Sequence, residues 1–267
     1  MTIMSHEENI LTRIMGERKK DVAVSKRQVS VNELLWEAEK RTNYYSLVER
    51  LRVGAGPRII AEVKKASPSA GELRPVYDPT AIAQAYVSAG AVGISVLTEP
   101  HHFLGSLDDL RRVRKVVNVP VLRKDFIGET YQLLEAAAWG ADVVLLIVAA
   151  LEPGQCAELY REALELNLEV IVEVHTREEL GVALSCEHAI IGVNSRDLKT
   201  LRTDLDVAYE LSKAIPDDRL CIAESGIRTP EDIAGLQAAG YDGFLVGESL
   251  LREHFPGKAL KVLLGKM

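Results

Sequence analysis

Eight short apolar runs, separated by more polar, helix-like stretches, constrain the fold of this chain more than any other feature. The runs are rich in Val, Ile and Leu and lie at 59–63, 92–97, 119–122, 143–148, 170–174, 190–193, 220–223 and 244–246. Strands that alternate with helices are typical of βαβ units and a parallel sheet. Eight such units in about 200–250 residues match the size of one closed barrel. The sequence therefore predicts an α/β protein with a (β/α)8 TIM barrel.

The helix-like stretches support this prediction through their ends. Stretches 79–89, 130–139 and 229–239 are each followed by a glycine, at 90, 140 and 240, where a helix C′ residue belongs. Stretches 153–166 and 176–184 fill two further gaps. A doubly wound open sheet is the alternative, but it would normally carry a glycine-rich turn after its first strand. The segment KKASP at 64–68 is not such a turn.

About 57 residues of different character precede the first run. Residues 9–24 and 43–51 have helical patterns, and Ser30 with Glu33 resembles a capping box that opens another helix. We expect residues 1–57 to form an N-terminal helical extension that caps the barrel, and 58–267 to form the barrel, as a single domain overall. The alternative is that this extension also closes over a substrate.

Composition excludes several classes of partner. The 267 residues are 47% hydrophobic and 27% charged, and the net charge of −7 argues against a nucleic-acid or anionic-membrane surface. The three cysteines are scattered without paired spacing, which fits a reducing cytoplasm and provides no zinc site. No apolar run approaches membrane-spanning length. We expect a cytoplasmic protein without a bound metal.

Charged residues stand at the ends of several runs, where a core strand should be apolar. In the first run, Glu62 and Lys64 share a face with Ile60, because strand side chains alternate. Later ends supply Lys124, Glu173, Asn194, Arg196 and Glu224. The active site of such a barrel lies at the carboxyl ends of its strands. A structural ring of ion pairs is the alternative, but the convergence favours a catalytic site.

The last two strand ends resemble a phosphate site. Barrels often bind phosphate at the loops after the seventh and eighth strands, where backbone N–H groups and a short helix face the anion. Ser225, Gly226 and Gly247 allow close approach of the backbone, and Glu248 opens a short helix. The carboxylate of Glu248 would have to turn outward while its N–H donates.

Five segments together resemble the signature of the indole-3-glycerol phosphate synthase family, in the same order. They read IAEVKKASPS at 60–69, SVLTE at 95–99, VLRKDFI at 121–127, IIGVNSRDL at 190–198 and AESGI at 223–227. The likeness covers essentially the whole chain. Two departures are RTNYY at 41–45, in place of a proline-rich stretch with phenylalanine, and Glu248, where a serine is frequent.

The resemblance implies an enzyme of tryptophan biosynthesis that acts on a small phosphosugar. It would convert 1-(2-carboxyphenylamino)-1-deoxy-D-ribulose 5-phosphate to indole-3-glycerol phosphate, carbon dioxide and water, without a metal or an organic cofactor. We expect a monomer or a weak homodimer.

The resemblance also implies roles for individual residues. Lys124 would be the acid of ring closure, Glu173 the base of dehydration, and Lys64 a ligand of the substrate carboxylate or a second acid. Glu62, Asn194 and Glu224 would position hydroxyls and tune the lysines. Ser67, Arg196, Ser225, Gly226, Gly247 and Glu248 would surround the phosphate. Phe103, Phe126 and Leu145 would grip the anthranilate ring, although each is equally compatible with plain core.

The remaining alternatives concern histidines and lysines. His101 and His102 form a loop pair without a third metal ligand, and His175 is expected to lie on the side of its strand opposite Glu173 and to be structural. Lys124 or Lys64 is also compatible with a Schiff-base aldolase. A non-catalytic barrel that binds phosphosugars is the last alternative.

Overall fold

A computed structural model describes residues 9–54, 56–74, 76–198 and 200–266. Residues 1–8 and 55 of the expected extension, and residues 75, 199 and 267 of the expected barrel, lie outside the described residues. Eight strands form a closed parallel barrel in which each strand pairs with its neighbours in chain order, and the last pairs with the first. This confirms the predicted (β/α)8 class.

The barrel strands agree with the apolar runs to within a few residues. They are β1 (Ile59–Val63), β2 (Gly93–Leu97), β3 (Val121–Lys124), β4 (Val143–Ile147), β5 (Glu169–Val174), β6 (Ile190–Asn194), β7 (Cys221–Glu224) and β8 (Gly243–Val246). A two-stranded hairpin, Ala66–Ser67 with Gly71–Glu72, lies in the loop after β1. The third run was predicted at 119–122, but β3 extends to Lys124 and so carries this residue to the rim.

The helices lie mostly between the strands. They are α1 (Ile10–Gln28), α2 (Val31–Glu39), α3 (Leu47–Arg52), α4 (Pro79–Ala89), α5 (Leu107–Arg114), α6 (Thr130–Trp139), α7 (Gln155–Glu165), α8 (Arg177–Ser185), α9 (Asp206–Ser212), α10 (Pro230–Ala238), α11 (Glu248–Leu251) and α12 (Pro256–Leu263), with a 3₁₀ turn at Val148–Ala150. Sequence patterns did not predict α5 and α12.

Local chemistry sets the helix ends, as α4 illustrates. The carboxylate of Asp78 accepts the backbone N–H groups of Thr80 and Ala81, and Pro79 occupies the first turn, where no N–H partner is needed. Gly90 ends the helix with φ 109°, a left-handed conformation that glycine adopts without steric cost.

Strand alternation divides the buried residues into two layers. Ile60 belongs to a cluster inside the barrel with Leu122 and Ile171, whereas Ile59 and Val63 pack outward against the helices. Glu62 shares the inward face with Ile60. The inward residues at the carboxyl ends of the strands therefore form the floor and walls of the barrel mouth.

The N-terminal helices contact both ends of the barrel. Leu47 and Leu51 of α3 join the interior cluster beside the first residues of β2 and β8. Leu11 and Ile14 of α1 join the same cluster and also line the cavity at the mouth. The extension thus covers the lower end and contributes a wall to the upper end, and its predicted boundary at residue 57 stays a prediction.

Candidate active site

A cavity of about 590 Å³ opens at the carboxyl ends of the strands. Every candidate residue predicted from the sequence lines it: Glu62, Lys64, Ser67, Phe103, Lys124, Phe126, Leu145, Glu173, Asn194, Arg196, Glu224, Ser225, Gly226, Gly247 and Glu248. Barrel closure brings these residues together from loops and strands that are far apart in the chain. Their individual roles do not follow from this proximity alone.

Lys124 lies at the centre of the charged side of the cavity. Its ammonium group donates to Glu173 Oε2 at 2.9 Å and to Glu224 Oε2 at 2.8 Å. Burial alone would lower the pKa of Lys124, but the charge of Glu173, followed by that of Glu224, raises this pKa above its ordinary value. Lys124 is therefore an ammonium ion at neutral pH.

The two carboxylates on Lys124 differ in their tendency to ionise. Burial raises the pKa of Glu224, and Lys124 offsets this only in part. Burial acts in the same direction on Glu173, but Lys124 and then His175 outweigh it and hold the pKa of Glu173 well below its usual range. Paired groups whose pKa values are pushed apart are typical of acid and base assignments in active sites.

Glu62 and Lys64 form a second ion pair beside this triad. The Lys64 ammonium donates to Glu62 Oε1, and both side chains are largely buried. Glycine at 247 makes the space for this pair, because a Cβ there would overlap the Glu62 carboxylate. Gly192 does the same for Glu224, and it was not predicted as a site residue. Its signal in the sequence is a glycine inside an otherwise apolar strand.

Another part of the cavity wall is built around Arg196. Its guanidinium donates to Ser69 Oγ at 2.7 Å and lies 3.4 Å from Glu248 Oε2. Glu248 Oε1 accepts from Arg252 at 2.8 Å, so the Glu248 carboxylate is held between two guanidinium groups. Asn194 Oδ1 accepts the backbone N–H of Arg196 at 3.0 Å, which fixes the start of this loop.

The two turns predicted to bind phosphate have unusual backbone conformations. Ser225 has φ 65° and Gly226 has φ 83°, so both occupy the left-handed region just after β7. Gly247 precedes the first residue of α11, Glu248. Two consecutive left-handed residues turn the chain sharply at the rim.

Aromatic and aliphatic side chains form another wall. The rings of Phe103 and Phe126 are tilted by 39° with centroids 6.0 Å apart. Glu99 places Phe103, because its carboxylate accepts the backbone N–H of that residue at 2.8 Å. Leu145 completes the predicted set, and Leu11 and Ile14 of α1 extend the wall.

The expectation that His175 lies on the side of its strand opposite Glu173 is wrong. His175 Nε2 lies 3.4 Å from Glu173 Oε1, and Nδ1 lies 3.2 Å from Glu179 Oε2. Residues two apart on a strand share a face, so continuing the strand periodicity of β5 would have placed His175 beside Glu173. His175 therefore lies next to a cavity residue, Glu173, and the sequence could have identified this contact.

His101 and His102 contact the N-terminal helix. His101 Nε2 lies 3.0 Å from Asp21 Oδ1, and His102 Nε2 lies 2.6 Å from Glu17 Oε2. Across the described ranges, no group of three or more His, Cys, Asp or Glu side chains is placed to hold a metal ion.

An ion pair that sequence reasoning missed anchors α1 over the mouth. The Arg18 guanidinium donates to both carboxylate oxygens of Asp125, at 2.9 and 2.8 Å, and both residues are buried. Asp125 also accepts from Thr98 and Arg123. The only signal in the sequence is the position of Asp125 next to Lys124.

None of the helices in the described parts of the chain is both long and apolar enough to span a membrane.

Comparison with known proteins relates the chain to one enzyme family. A family model described as indole-3-glycerol phosphate synthase matches residues 11–263. A curated relative of that name from Kineococcus radiotolerans is 44% identical over 259 residues, which cover 96% of this chain and 94% of the relative. Another, from Rhodopirellula baltica, is 50% identical over 207 residues, which cover 78% of this chain and 80% of the relative.

Among solved structures, a tryptophan synthase subunit alpha from Legionella pneumophila matches with a TM-score of 0.58 and 16% sequence identity. The match covers 87% of this chain and 97% of that one. At this identity the likeness concerns the fold alone.

Proposed function

The chain belongs to the indole-3-glycerol phosphate synthase family, and from this premise we propose which of its residues carry the reaction. The enzyme converts 1-(2-carboxyphenylamino)-1-deoxy-D-ribulose 5-phosphate to indole-3-glycerol phosphate with loss of carbon dioxide and water. It is a carboxy-lyase of tryptophan biosynthesis.

Lys124 is the acid of ring closure in this proposal. The aryl carbon that bears the carboxylate attacks the C2 carbonyl of the ribulose chain, and negative charge develops on the carbonyl oxygen. A buried ammonium ion stabilises that charge and donates the proton. The observation that carries the proposal is the position of the Lys124 ammonium between Glu173 and Glu224, at 2.9 and 2.8 Å.

Decarboxylation then restores the aromatic ring, and dehydration completes the indole. The carbon–carboxylate bond breaks and its electron pair returns to the ring. The hydroxyl formed in ring closure takes a proton from Lys64, the second acid in this proposal, and leaves as water with assistance from the lone pair of the substrate amine. The neighbouring CH₂ group then gives up a proton to Glu173. We assign Glu173 as the base, because its carboxylate lines the cavity beside Lys124 and is ionised there.

The remaining polar residues bind and orient the substrate. Lys64, paired with Glu62, faces the cavity and would hold the substrate carboxylate. Asn194 and Glu224 would orient hydroxyls of the ribulose chain. Arg196, together with Ser67 and the turns at 225–226 and 247–248, would enclose the phosphate, because guanidinium and backbone N–H groups suit that anion. The apolar wall of Phe103, Phe126 and Leu145 would hold the aryl ring.

Two assays test these assignments. Indole fluorescence after addition of substrate measures turnover by the wild-type enzyme, and rapid-quench analysis of Glu173→Gln identifies the blocked step. We expect this variant to bind substrate and to accumulate a ring-closed species. If only unreacted substrate is found, Glu173 acts in the first step instead.

Borohydride distinguishes this mechanism from that of a Schiff-base aldolase. An imine requires a neutral lysine, whereas Lys124 carries a raised pKa between two carboxylates. We expect borohydride with substrate to leave Lys124 unmodified, and a reduced adduct on Lys124 would overturn the assignment.

We propose, in addition, that the enzyme works in the cytoplasm as a monomer or a weak homodimer. The three cysteines are free and buried, which suits a reducing compartment. Sedimentation velocity over a range of concentrations tests the oligomeric state, and a tight higher oligomer would contradict the proposal.

A further inference from the structure

The proposed base has two differently paired carboxylate oxygens. Glu173 Oε2 accepts from Lys124, whereas Oε1 faces His175 Nε2 at 3.4 Å. The other ring nitrogen of His175 lies 3.2 Å from Glu179 Oε2. A line of alternating charge thus runs from Lys124 inside the mouth, through Glu173 and His175, to Glu179 at the rim.

Glu179 is itself held in place by the start of α8. Its backbone N–H donates to Thr176 Oγ1 at 3.2 Å, and its carboxylate accepts the backbone N–H of His175 at 2.7 Å. This resembles a capping box shifted by one residue, so the first turn of the helix fixes the carboxylate. The orientation of the imidazole is therefore set by a regular element and not by a mobile loop.

His175 is a cation at neutral pH in this arrangement. Burial alone would lower its pKa, but contacts with Glu173 and Glu179 raise the pKa to about 10. Its side chain is 12% exposed, and those two carboxylates are the charged groups that face it among the described residues. The imidazolium in turn contributes to the low pKa of Glu173, after Lys124.

We propose that His175, held by Glu179, is a positioning residue that orients the Glu173 carboxylate and keeps it ionised for the dehydration step. The inference rests on the proposed role of Glu173 as the base. His175 need not touch the substrate, because it acts on the oxygen of Glu173 opposite Lys124. The role of Glu179 is to keep the imidazole charged and aligned.

Kinetics of His175→Gln test the proposal, with His188→Gln as the control. His188 is exposed and lies outside the cavity. We expect His175→Gln to lower kcat by about tenfold or more with KM changed by less than about twofold, since the lost group acts only in a chemical step. Rapid-quench analysis should show a ring-closed species. Wild-type kcat in His175→Gln would overturn the proposal.

A double-mutant cycle separates this inference from the proposed function. If His175 acts through Glu173, His175→Gln has no further effect on kcat in a Glu173→Gln background. Equal losses in both backgrounds would overturn the inference and leave the role of Glu173 intact. Near wild-type turnover of Glu173→Gln alone would instead reject the proposed function.

A spectroscopic measurement does not depend on turnover or on the folding of the His175 variant. In protein labelled with ¹⁵N-histidine, the His175 ring should carry protons on both nitrogens at pH 8. Glu179→Gln should shift its titration to lower pH. A neutral His175 ring in the wild-type protein at pH 8, or an unchanged titration in Glu179→Gln, would overturn the proposal.

Discussion

Single residues in the mouth of the barrel are charged because each has a partner of opposite sign. Lys124 has Glu173 and Glu224, and Lys64 has Glu62. Removing one partner leaves another charge buried and unpaired, which is expensive. Substitutions in this group must therefore be compared with folding controls before a loss of rate is assigned to chemistry.

Lys124→Ala should retain the fold and lose ring closure. The variant lacks the ammonium group that stabilises the charge on the carbonyl oxygen and donates the proton in this proposal. We expect kcat/KM to fall by far more than tenfold, since a tenfold loss corresponds to only about 1.4 kcal/mol of transition-state stabilisation. Indole fluorescence measures the rate and circular dichroism the fold, with the exposed Lys115→Ala as control. Retention of a tenth of wild-type kcat/KM would contradict the assignment.

The raised pKa of His175 also predicts how stability depends on pH. A group whose pKa is higher in the folded than in the unfolded protein contributes its full stabilisation of the fold below the unfolded pKa. This contribution is lost as the pH rises through the folded pKa. For His175 this pH window extends from its ordinary pKa of 6.5 to its raised pKa of about 10. The difference in free energy of unfolding between wild type and His175→Gln should therefore shrink from pH 6.5 to 10. Urea titrations at several pH values measure it, and a constant difference would contradict the ion pairs.

At the scale of elements, α1 is attached to the barrel through the buried apolar residues Leu11, Ile14 and Val22 and through the buried ion pair of Arg18 with Asp125. Arg18 reaches Asp125 across 107 residues of sequence. Leu11 and Ile14 of the same helix lie on the cavity wall. We therefore expect loss of this ion pair to affect both the attachment of α1 and the binding of substrate.

Arg18→Met should weaken both the attachment of α1 and the binding of substrate. The change leaves Asp125 buried with fewer hydrogen-bond donors, so we expect the free energy of unfolding to fall by about 3 kcal/mol. This is the lower end of the range for a broken buried ion pair, because Arg123 and Thr98 still donate to Asp125. KM should rise as the α1 wall loosens. Urea unfolding and steady-state kinetics measure the two effects, with the exposed Arg13→Met on the same helix as control. Unchanged KM with lowered stability would show that α1 is a cap only.

The turn after β7 offers a prediction about phosphate. A Cβ at Gly226 would lie 3.0 Å from Leu205 and Thr203 in a left-handed conformation, so Gly226→Val should distort the turn. Binding of substrate and of inorganic phosphate should weaken together. Calorimetric titration with phosphate measures this loss. Gly240→Val is the matched control, because Gly240 has φ 103° with no neighbour within 4 Å and lies outside the cavity. Equal phosphate affinity in both variants would contradict the assigned site.

At the scale of the whole molecule, local patterns predicted the elements and topology predicted which ends converge. Apolar runs and terminal glycines located β1 and α4 at their observed bounds. Which carboxylates pair with Lys124 was not predictable, because it meets Glu173 and Glu224 across 49 and 100 residues. The contact of Arg18 with Asp125 was missed for the same reason. Such contacts depend on side-chain packing between elements, which periodicity does not encode.

The two ends of the barrel should separate stability from activity, and β5 allows both to be tested on one strand. Glu169 begins the strand at the lower end, where its carboxylate accepts Leu47 N–H at 2.7 Å and Val48 N–H at 3.1 Å. Glu173 lies near the upper end of the same strand. In a barrel of this kind the lower face contributes to stability and the upper face to catalysis.

Glu169→Gln should therefore lower the free energy of unfolding by about 1–3 kcal/mol, because an amide is a weaker partner for the first turn of α3 than a carboxylate. Its kcat should remain within about twofold of wild type, whereas Glu173→Gln should lose turnover. Urea unfolding and indole fluorescence on the two variants measure this contrast. A large loss of kcat in Glu169→Gln, with the fold retained, would mean that the lower end and the mouth are coupled.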